Sequence, residues 1–251
     1  MKLIALSDLH LDKEEHRETG LETIDQVAQI PGDVLVVGGD VSQTKEYLEL
    51  GLEGLSKFEG TKLAYLGNHE LRINGFIGEN YSRLKDVFEK YGFQLLDDSP
   101  AVVRNIGFVG NVGWYDLSLY SGSRLEEYRE ISTDFYKKEF DTRGINQTQF
   151  NQICFRRVKE HIEQVSDSVD KIVLGIHHVA FKEFLKYGHT EYFDFKNLFM
   201  GSTEFQEAYS HPKVAIGLCG HTHRSGRINY SGKPIYNISS DKKQKFLEIE
   251  I

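Results

Sequence analysis

Cysteine is scarce in this chain: two residues, Cys154 and Cys219, among 251, with no Cys-x-x-Cys spacing. That excludes a disulfide framework or a zinc knuckle as the organising device, and both thiols, set among apolar neighbours, read as small core residues. Long apolar runs are missing too. Stretches such as Val34–Val37 and Val214–Cys219 fall far short of the ~20 residues that cross a bilayer. Met1–Asp8 lacks the apolar core of a secretory signal, so the expectation is a cytoplasmic protein with no membrane partner. Positive charge is in deficit, 30 Lys and Arg against 38 Asp and Glu, for a net charge of −8. With no Lys/Arg run, this argues against a protein that mainly grips nucleic-acid backbone. Tryptophan occurs once, as Trp114, and is read as core packing. Repeats, low-complexity tracts and linkers are absent, so one domain over residues 1–251 is the economical reading.

What is present is an alternation of short apolar strands and amphipathic helices. Leu3–Leu6 reads as a first strand and Gly20–Ile30 as a helix, closed by Pro31-Gly32. Asp33–Val37 is apolar after its first residue, like a strand buried in a parallel sheet. A helix over Lys45–Phe58 and a strand over Lys62–Leu66 follow. This order predicts right-handed βαβ crossovers, an α/β fold, and a functional crevice at the carboxyl ends of the strands. After a helix over Tyr81–Tyr91, short strands near Phe93–Leu96, Ala101–Arg104 and Ile106–Gly110 bring antiparallel pairing, with a hairpin turn at Asn105. A polar, aromatic-rich segment at about 115–146 reads as an insertion or lid. Gln147–Val165 is the strongest helix, and Lys171–Ile176 another buried strand. Phe181–Phe205 is again aromatic-rich and is expected to border the cleft, and the closing strands Gly226–Tyr230 and Pro234–Ile238 form a hairpin at Ser231-Gly232, followed by Lys245–Ile251.

The strand ends carry the chemistry. Asp8 and His10 follow the first strand, Gly38-Gly39-Asp40 the second, Gly67-Asn68-His69-Glu70 the third, His177-His178 the Lys171–Ile176 strand, and Gly220-His221-Thr222-His223 the Val214–Cys219 strand. Imidazole and carboxylate at one end of a sheet are metal-compatible donors. Asp8, His10, Asp40, Asn68, His177, His221 and His223 are more donors than one ion needs if water must also bind. They suit two ions with Asp40, on the most central turn, as a bridge. Nitrogen and oxygen donors without thiolate favour manganese, with iron or zinc as alternatives. Two such ions can hold a bridging hydroxide and clamp a phosphoryl group for in-line displacement. His69, not needed as a ligand, is placed to stabilise the transition state or protonate the leaving oxygen.

The ordered set Asp-x-His, Gly-Asp, Gly-Asn-His-Glu, His and Gly-His-x-His resembles the calcineurin-like metallophosphoesterases across nearly the whole chain. The resemblance implies a four-layer αββα sandwich, two mixed β-sheets flanked by helices. It implies that Asp8, His10 and His223 hold one ion, that Asn68, His177 and His221 hold the other, that Asp40 bridges them, and that His69 is the catalytic histidine. Gln43 stands where the family pattern has a further acid. Between the adjacent histidines, His177 is assigned as the ligand and His178 either supports the ligands from behind or faces substrate; Arg72 is a candidate phosphate contact, while His16, His161, His189 and His211 read as structural or solvated. The expected activity is hydrolysis of a small phosphate mono- or diester. The alternatives are a non-catalytic metal-binding scaffold of the same fold and a nuclease.

Overall fold

The computed structural model describes residues 1–73, 79–120, 125–126, 145–186, 191–241 and 244–251. Most of the expected 115–146 insertion, including Tyr128, Phe135, Tyr136 and Phe140, lies outside them, as does His189.

Two sheets lie face to face. In the first, β1 (Lys2–Leu6), β2 (Val34–Val37), β3 (Thr61–Ala64) and β4 (Gln94–Leu95) run parallel, and β11 (Leu247–Glu250) closes the edge antiparallel to β1. The second orders β5 (Ala101–Val103), β6 (Ile106–Asn111), β7 (Lys171–Ile176), β8 (Val214–Cys219), β10 (Lys233–Asn237) and β9 (Gly226–Tyr230). There β6, β7, β8 and β10 are parallel, while β5 and β9 are antiparallel edges. Both expected hairpins form, with Arg104 at φ 56° in one and Ser231-Gly232 at φ 51° and 78° in the other.

The side-chain period of two along each strand builds the layers. In β1 and β2, Leu3, Ala5, Val34 and Val36 face the other sheet, where they meet Phe108, Val173, Ile216 and Leu218. The alternate residues Ile4, Leu6, Leu35 and Val37 face outward into a second buried cluster. Helices α1 (Glu14–Gln29) and α2 (Lys45–Ser56) cover that face with Ile24, Val27, Leu48, Leu52 and Leu55. Helix α3 (Glu79–Lys90) adds Leu84 and Phe88. On the far side α4 (Gln147–Ser166) packs Phe150, Cys154, Val158, Ile162 and Val165 onto β6 and β7. Its N-terminus is capped reciprocally by Asn146 and Gln149. Helix α5 (Glu191–Asn197) and helix α6 (Gln206–Ser210) complete this layer. The arrangement is the expected sandwich of two mixed sheets between helices, and Cys154, Cys219 and Trp114 are core residues as expected.

Some boundaries differ from the sequence reading. Helix α1 starts at Glu14, not Gly20, because its first turn is acidic and exposed and shows no apolar period. The third strand ends at Ala64, with one further bond from the Tyr65 amide to the Val37 carbonyl at 3.0 Å. Beyond it the amide of Leu66 donates instead to Asp97 Oδ2 at 2.8 Å.

Asp97 also accepts the amide of Val112 on its other oxygen at 2.7 Å, so one buried carboxyl joins the end of β3 to the end of β6. Burial raises its pKa to about 7, against the lowering effect of the two amides. In the unfolded chain the group ionises near 3.9. The folded state therefore binds more protons between those values. The stability this group contributes is full below about pH 4 and falls as pH rises toward 7. Asp97→Asn cannot titrate, so its stability in urea melts should fall less steeply than that of the unmodified protein between pH 5 and 7.5. Parallel pH profiles would contradict this account.

Candidate metal centre

The loops after β1 and β2 are stitched together by backbone bonds. The amides of Asp8, His10 and Leu11 donate to the carbonyls of Gly39, Asp40 and Val41 at 3.0, 3.0 and 2.9 Å. Asp8, His10, Asp40, His221 and His223 all have positive φ, between 45° and 68°. An L-residue held in this region costs on the order of 1 kcal/mol. Five of the eight non-glycine residues with positive φ among the described residues are thus candidate donors. The strain is concentrated where side chains must be re-aimed.

Glycines make the close approach possible. A Cβ on Gly67 would sit 2.1 Å from Asp40 Oδ1, and one on Gly220 would sit 2.7 Å from Asp8 Oδ2 and 2.6 Å from Ser7 Oγ. Only a bare backbone lets the third loop reach Asp40 and the histidine loop reach Asp8.

Among the described residues three groups of donor atoms result, each within 4.8 Å of one another: Asp8, His10 and His223; His10, Asp40 and His69; Asp40, His177 and His221. His10 Nε2 lies 2.9 Å from His223 Nε2 and 3.8 Å from both Asp8 Oδ1 and Asp40 Oδ2. His177 Nε2 lies 3.3 Å from Asp40 Oδ2, and its Nδ1 contacts the Gly38 carbonyl at 2.8 Å. Asp8 receives the His221 amide on both oxygens at 3.1 Å and the Ser7 hydroxyl at 2.5 Å. The His69 amide donates to Asp40 Oδ1 at 2.9 Å, and its ring Nε2 is 3.9 Å from Asp40 Oδ2. That bond sets the adjoining Asn68 beside the group. Asn68 is buried, and its Oδ1 has no hydrogen-bond partner.

Burial alone would raise both carboxylates. Facing imidazoles outweigh it: His223 and His177 hold Asp8 below its usual range, and His177, His69 and His10 hold Asp40 well below. Burial lowers His10 and His221 to about 3, leaving them neutral. Burial also pulls on His177, yet its contact with Asp40 carries it up to about 10. His69 is lowered by burial against the opposing pull of Asp40.

His178 stands apart from these groups. Its Nδ1 contacts the Val112 carbonyl at 3.0 Å, and its ring lies 4.2 Å from that of His221, on the wall of a cavity of about 510 Å³ that Arg72 also lines. His16, read from sequence as structural or solvated, is exposed but sits at the mouth, its ring 6.2 Å from His10 and 6.3 Å from His223. His161 and His211 lie elsewhere, on or beside α4 and α6. Gln43 is exposed, and its amide donates to Asp12 Oδ1 at 3.0 Å.

Two supports escaped the sequence reading. Asn237 donates to Thr222 Oγ1 at 2.8 Å and to the Gly220 carbonyl at 3.2 Å, bracing the histidine loop. Glu70, fully buried, accepts the amides of Asp40 and Gly67 on one oxygen, both at 2.8 Å. Its other oxygen accepts those of Val41 and Ser42, at 2.7 and 3.2 Å. Its place in Gly-Asn-His-Glu was the available signal. Glu70→Ala leaves four buried amides without an acceptor, at about 1–3 kcal/mol each before relaxation. It should lower stability by about 4 kcal/mol or more in denaturant melts, with Glu70→Gln milder; a loss below about 1 kcal/mol would show that the loops hold without it.

A model of the family described as calcineurin-like phosphoesterase matches residues 1–225. No curated protein sequence matches the chain. Among solved structures, the phosphopantetheinyl hydrolase of Mycobacterium tuberculosis superposes with a TM-score of 0.69 at 19% identity, covering 95% of this chain and 88% of that one. A candidate 5'-nucleotidase from Staphylococcus aureus gives 0.56 at 13%, covering 99% of this chain and 50% of that one, so this chain spans half that protein's length. GAP50, the anchor in the inner membrane complex of Plasmodium, gives 0.52 at 9%, covering 96% and 71%. At such identities the likeness is one of fold. The ordered strand-end motifs and the family model together place this chain in the calcineurin-like phosphoesterase family, as a metal-dependent enzyme that hydrolyses phosphoesters.

Proposed function

We propose that the chain hydrolyses a small phosphate mono- or diester at a centre of two metal ions. Asp8, His10 and His223 would hold one ion and Asn68, His177 and His221 the other, with Asp40 between them. One observation carries this reading: Asp40 belongs to two of the three donor groups, with His10 on one side and with His177 and His221 on the other. The donor chemistry fits. Asn68 Oδ1 is buried without a hydrogen-bond partner, an unfavourable state that an ion relieves, and His177 Nε2 faces Asp40 Oδ2 at 3.3 Å. His10 and His221 are neutral, Asp8 and Asp40 ionised, which is the form each must have to bind a cation. Nitrogen and oxygen donors without thiolate suit manganese, with iron or zinc as alternatives.

Such ions, when bound, neutralise phosphoryl oxygens and acidify a water for in-line attack. The rest falls to the chain. Asp40 draws its two neighbouring histidine groups onto one point and holds the His69 amide. His69 has a partly exposed side chain beside Asp40, where it can donate a proton or hydrogen bond to the leaving oxygen. Arg72 and His178 line the adjoining cavity and are placed to orient the ester. A single domain and a cytoplasmic location go with this reading; no described helix is long and apolar enough to cross a membrane.

A non-catalytic scaffold is the second reading, favoured by the same fold in GAP50, which is described as an anchor. Turnover separates the two. Asp40→Ala should abolish manganese-dependent hydrolysis of p-nitrophenyl phosphate and bis(p-nitrophenyl) phosphate and lower the bound metal measured by elemental analysis. His69→Ala should keep its metal and lose about 10²–10⁴-fold in kcat, the usual contribution of a positioned proton donor. An unchanged rate in His69→Ala would remove it from the mechanism, and metal binding without turnover of any ester would favour the scaffold.

A further inference from the structure

Lys13 is a basic residue that neither the donor groups nor the steps above employ. It follows Asp8, His10 and Asp12 in the loop after β1 and stands immediately before α1. Its backbone is pinned. The Lys13 amide donates to the His10 carbonyl at 2.9 Å, and its own carbonyl accepts the amides of His16 and Arg17, each at 3.0 Å. Arg17 returns to the same loop, with Nε and Nη2 donating to the carbonyls of Leu11 and Asp12 at 2.9 and 3.2 Å. Its guanidinium lies 4.3 Å from the centroid of the Tyr47 ring on α2. The flexible stem of Lys13 thus swings from a fixed root.

That root is at the donor end. Lys13 lines the cavity together with Asn68, His221 and His223. His16, one turn further along α1, has its ring 6.2 Å from that of His10 and 6.3 Å from that of His223. The first turn of α1 therefore lies across the opening of the centre. Behind burial, Lys13 is the largest influence that lowers the His69 pKa, ahead of Arg72, so its charge reaches the candidate proton donor. Asp12, the acid before it in sequence, accepts the Gln43 amide on its carboxylate at 3.0 Å. Lys13 is half-buried, with a stem sheltered by the loop and an ammonium that can follow an anion in the cavity.

A tetrahedral phosphate held at the donors keeps oxygens on the cavity side, one of them bonded to the leaving group. The other is charged in a monoester and carries a second alcohol in a diester. An ammonium meets the charged oxygen in a charge-assisted hydrogen bond; the second alcohol of a diester would desolvate it and offer no such bond. We propose that Lys13 is a substrate contact that selects phosphate monoesters over diesters by binding the charged oxygen on the cavity side. This rests on the two-metal phosphoesterase reading above and narrows the substrate class of that site.

Lys13→Met keeps the stem and removes the charge, and Lys13→Arg keeps the charge. Manganese-loaded unmodified protein should hydrolyse p-nitrophenyl phosphate with a higher kcat/KM than bis(p-nitrophenyl) phosphate. Lys13→Met should lose about tenfold or more in kcat/KM for the monoester, or about 1.4 kcal/mol, chiefly through KM, and less than about threefold for the diester. Lys13→Arg should recover most of the monoester rate. Both variants should keep their metal in elemental analysis. Binding supplies a readout without turnover. In calorimetric titrations at mildly alkaline pH, where phosphate is a dianion, inorganic phosphate should bind Lys13→Met about tenfold or more weakly, whereas dimethyl phosphate should bind it as it binds the unmodified protein. A diester preference in the unmodified protein, equal losses for both esters in Lys13→Met, or phosphate binding that ignores the substitution overturns the proposal. If the unmodified protein hydrolyses neither ester while phosphate binding still depends on Lys13, the hydrolase reading fails and the contact stands. If both esters are hydrolysed and Lys13→Met spares or weakens both alike, this proposal alone fails.

Discussion

Asp8, Asp40 and the imidazoles of His10 and His177 are buried together in one small volume beside the half-buried His221, and this crowding is the constraint that the surrounding structure serves. Ionised carboxylates and imidazoles lose hydration there. Left alone, such loops would splay into water. They are held because Glu70 gathers four amides from two loops, Asp8 takes the His221 amide, and the loops after β1 and β2 share a backbone ladder. The left-handed backbone at Asp8, His10, Asp40, His221 and His223 is the local consequence. Strain is tolerated there because neighbouring hydrogen bonds over-determine each conformation.

The centre also explains why two sheets are needed. The first sheet delivers Asp8, His10, Asp40, Asn68 and His69, and the second delivers His177, His178, His221 and His223. Neither sheet has the complete donor set. Apolar packing of Leu3, Val34 and Tyr65 against Phe108, Val173 and Leu218 sets the two faces together, and burial of this kind supplies most of the stabilising free energy. At the rim, where apolar contact ends, polar ties take over: Asp97 between Leu66 and Val112, and Asp8 to His221. The sheets are thus registered most tightly beside the site.

Charge is arranged unevenly over the molecule. An acidic exterior and a cavity lined by lysine and arginine side chains focus attraction for anions on one opening. Behind that opening the buried rings of His178, Trp114, Tyr115 and Phe199 pack on one another.

Much of this was legible in the residue order. Apolar runs that end in Gly plus Asp, Asn or His announce parallel strands and a crevice at their carboxyl ends, because periodicity and glycine placement are local properties of a chain. Helix α1 was read short for the same reason: an exposed acidic turn leaves no periodic trace. What the order of residues could not say is which polar group faces which. Glu70 and Asp97 are two acids among 38 until folding buries them against amides from distant segments. His16 was indistinguishable from any surface histidine until packing set it near His10. His177 and His178, adjacent and alike, are told apart by the pleat, which turns one toward Asp40 and the other toward the cavity wall. Local pattern decided the strands, their order of donors and the family. Tertiary structure alone decided the burial and the partners, because desolvation and hydrogen bonding depend on what lies across space rather than along the chain.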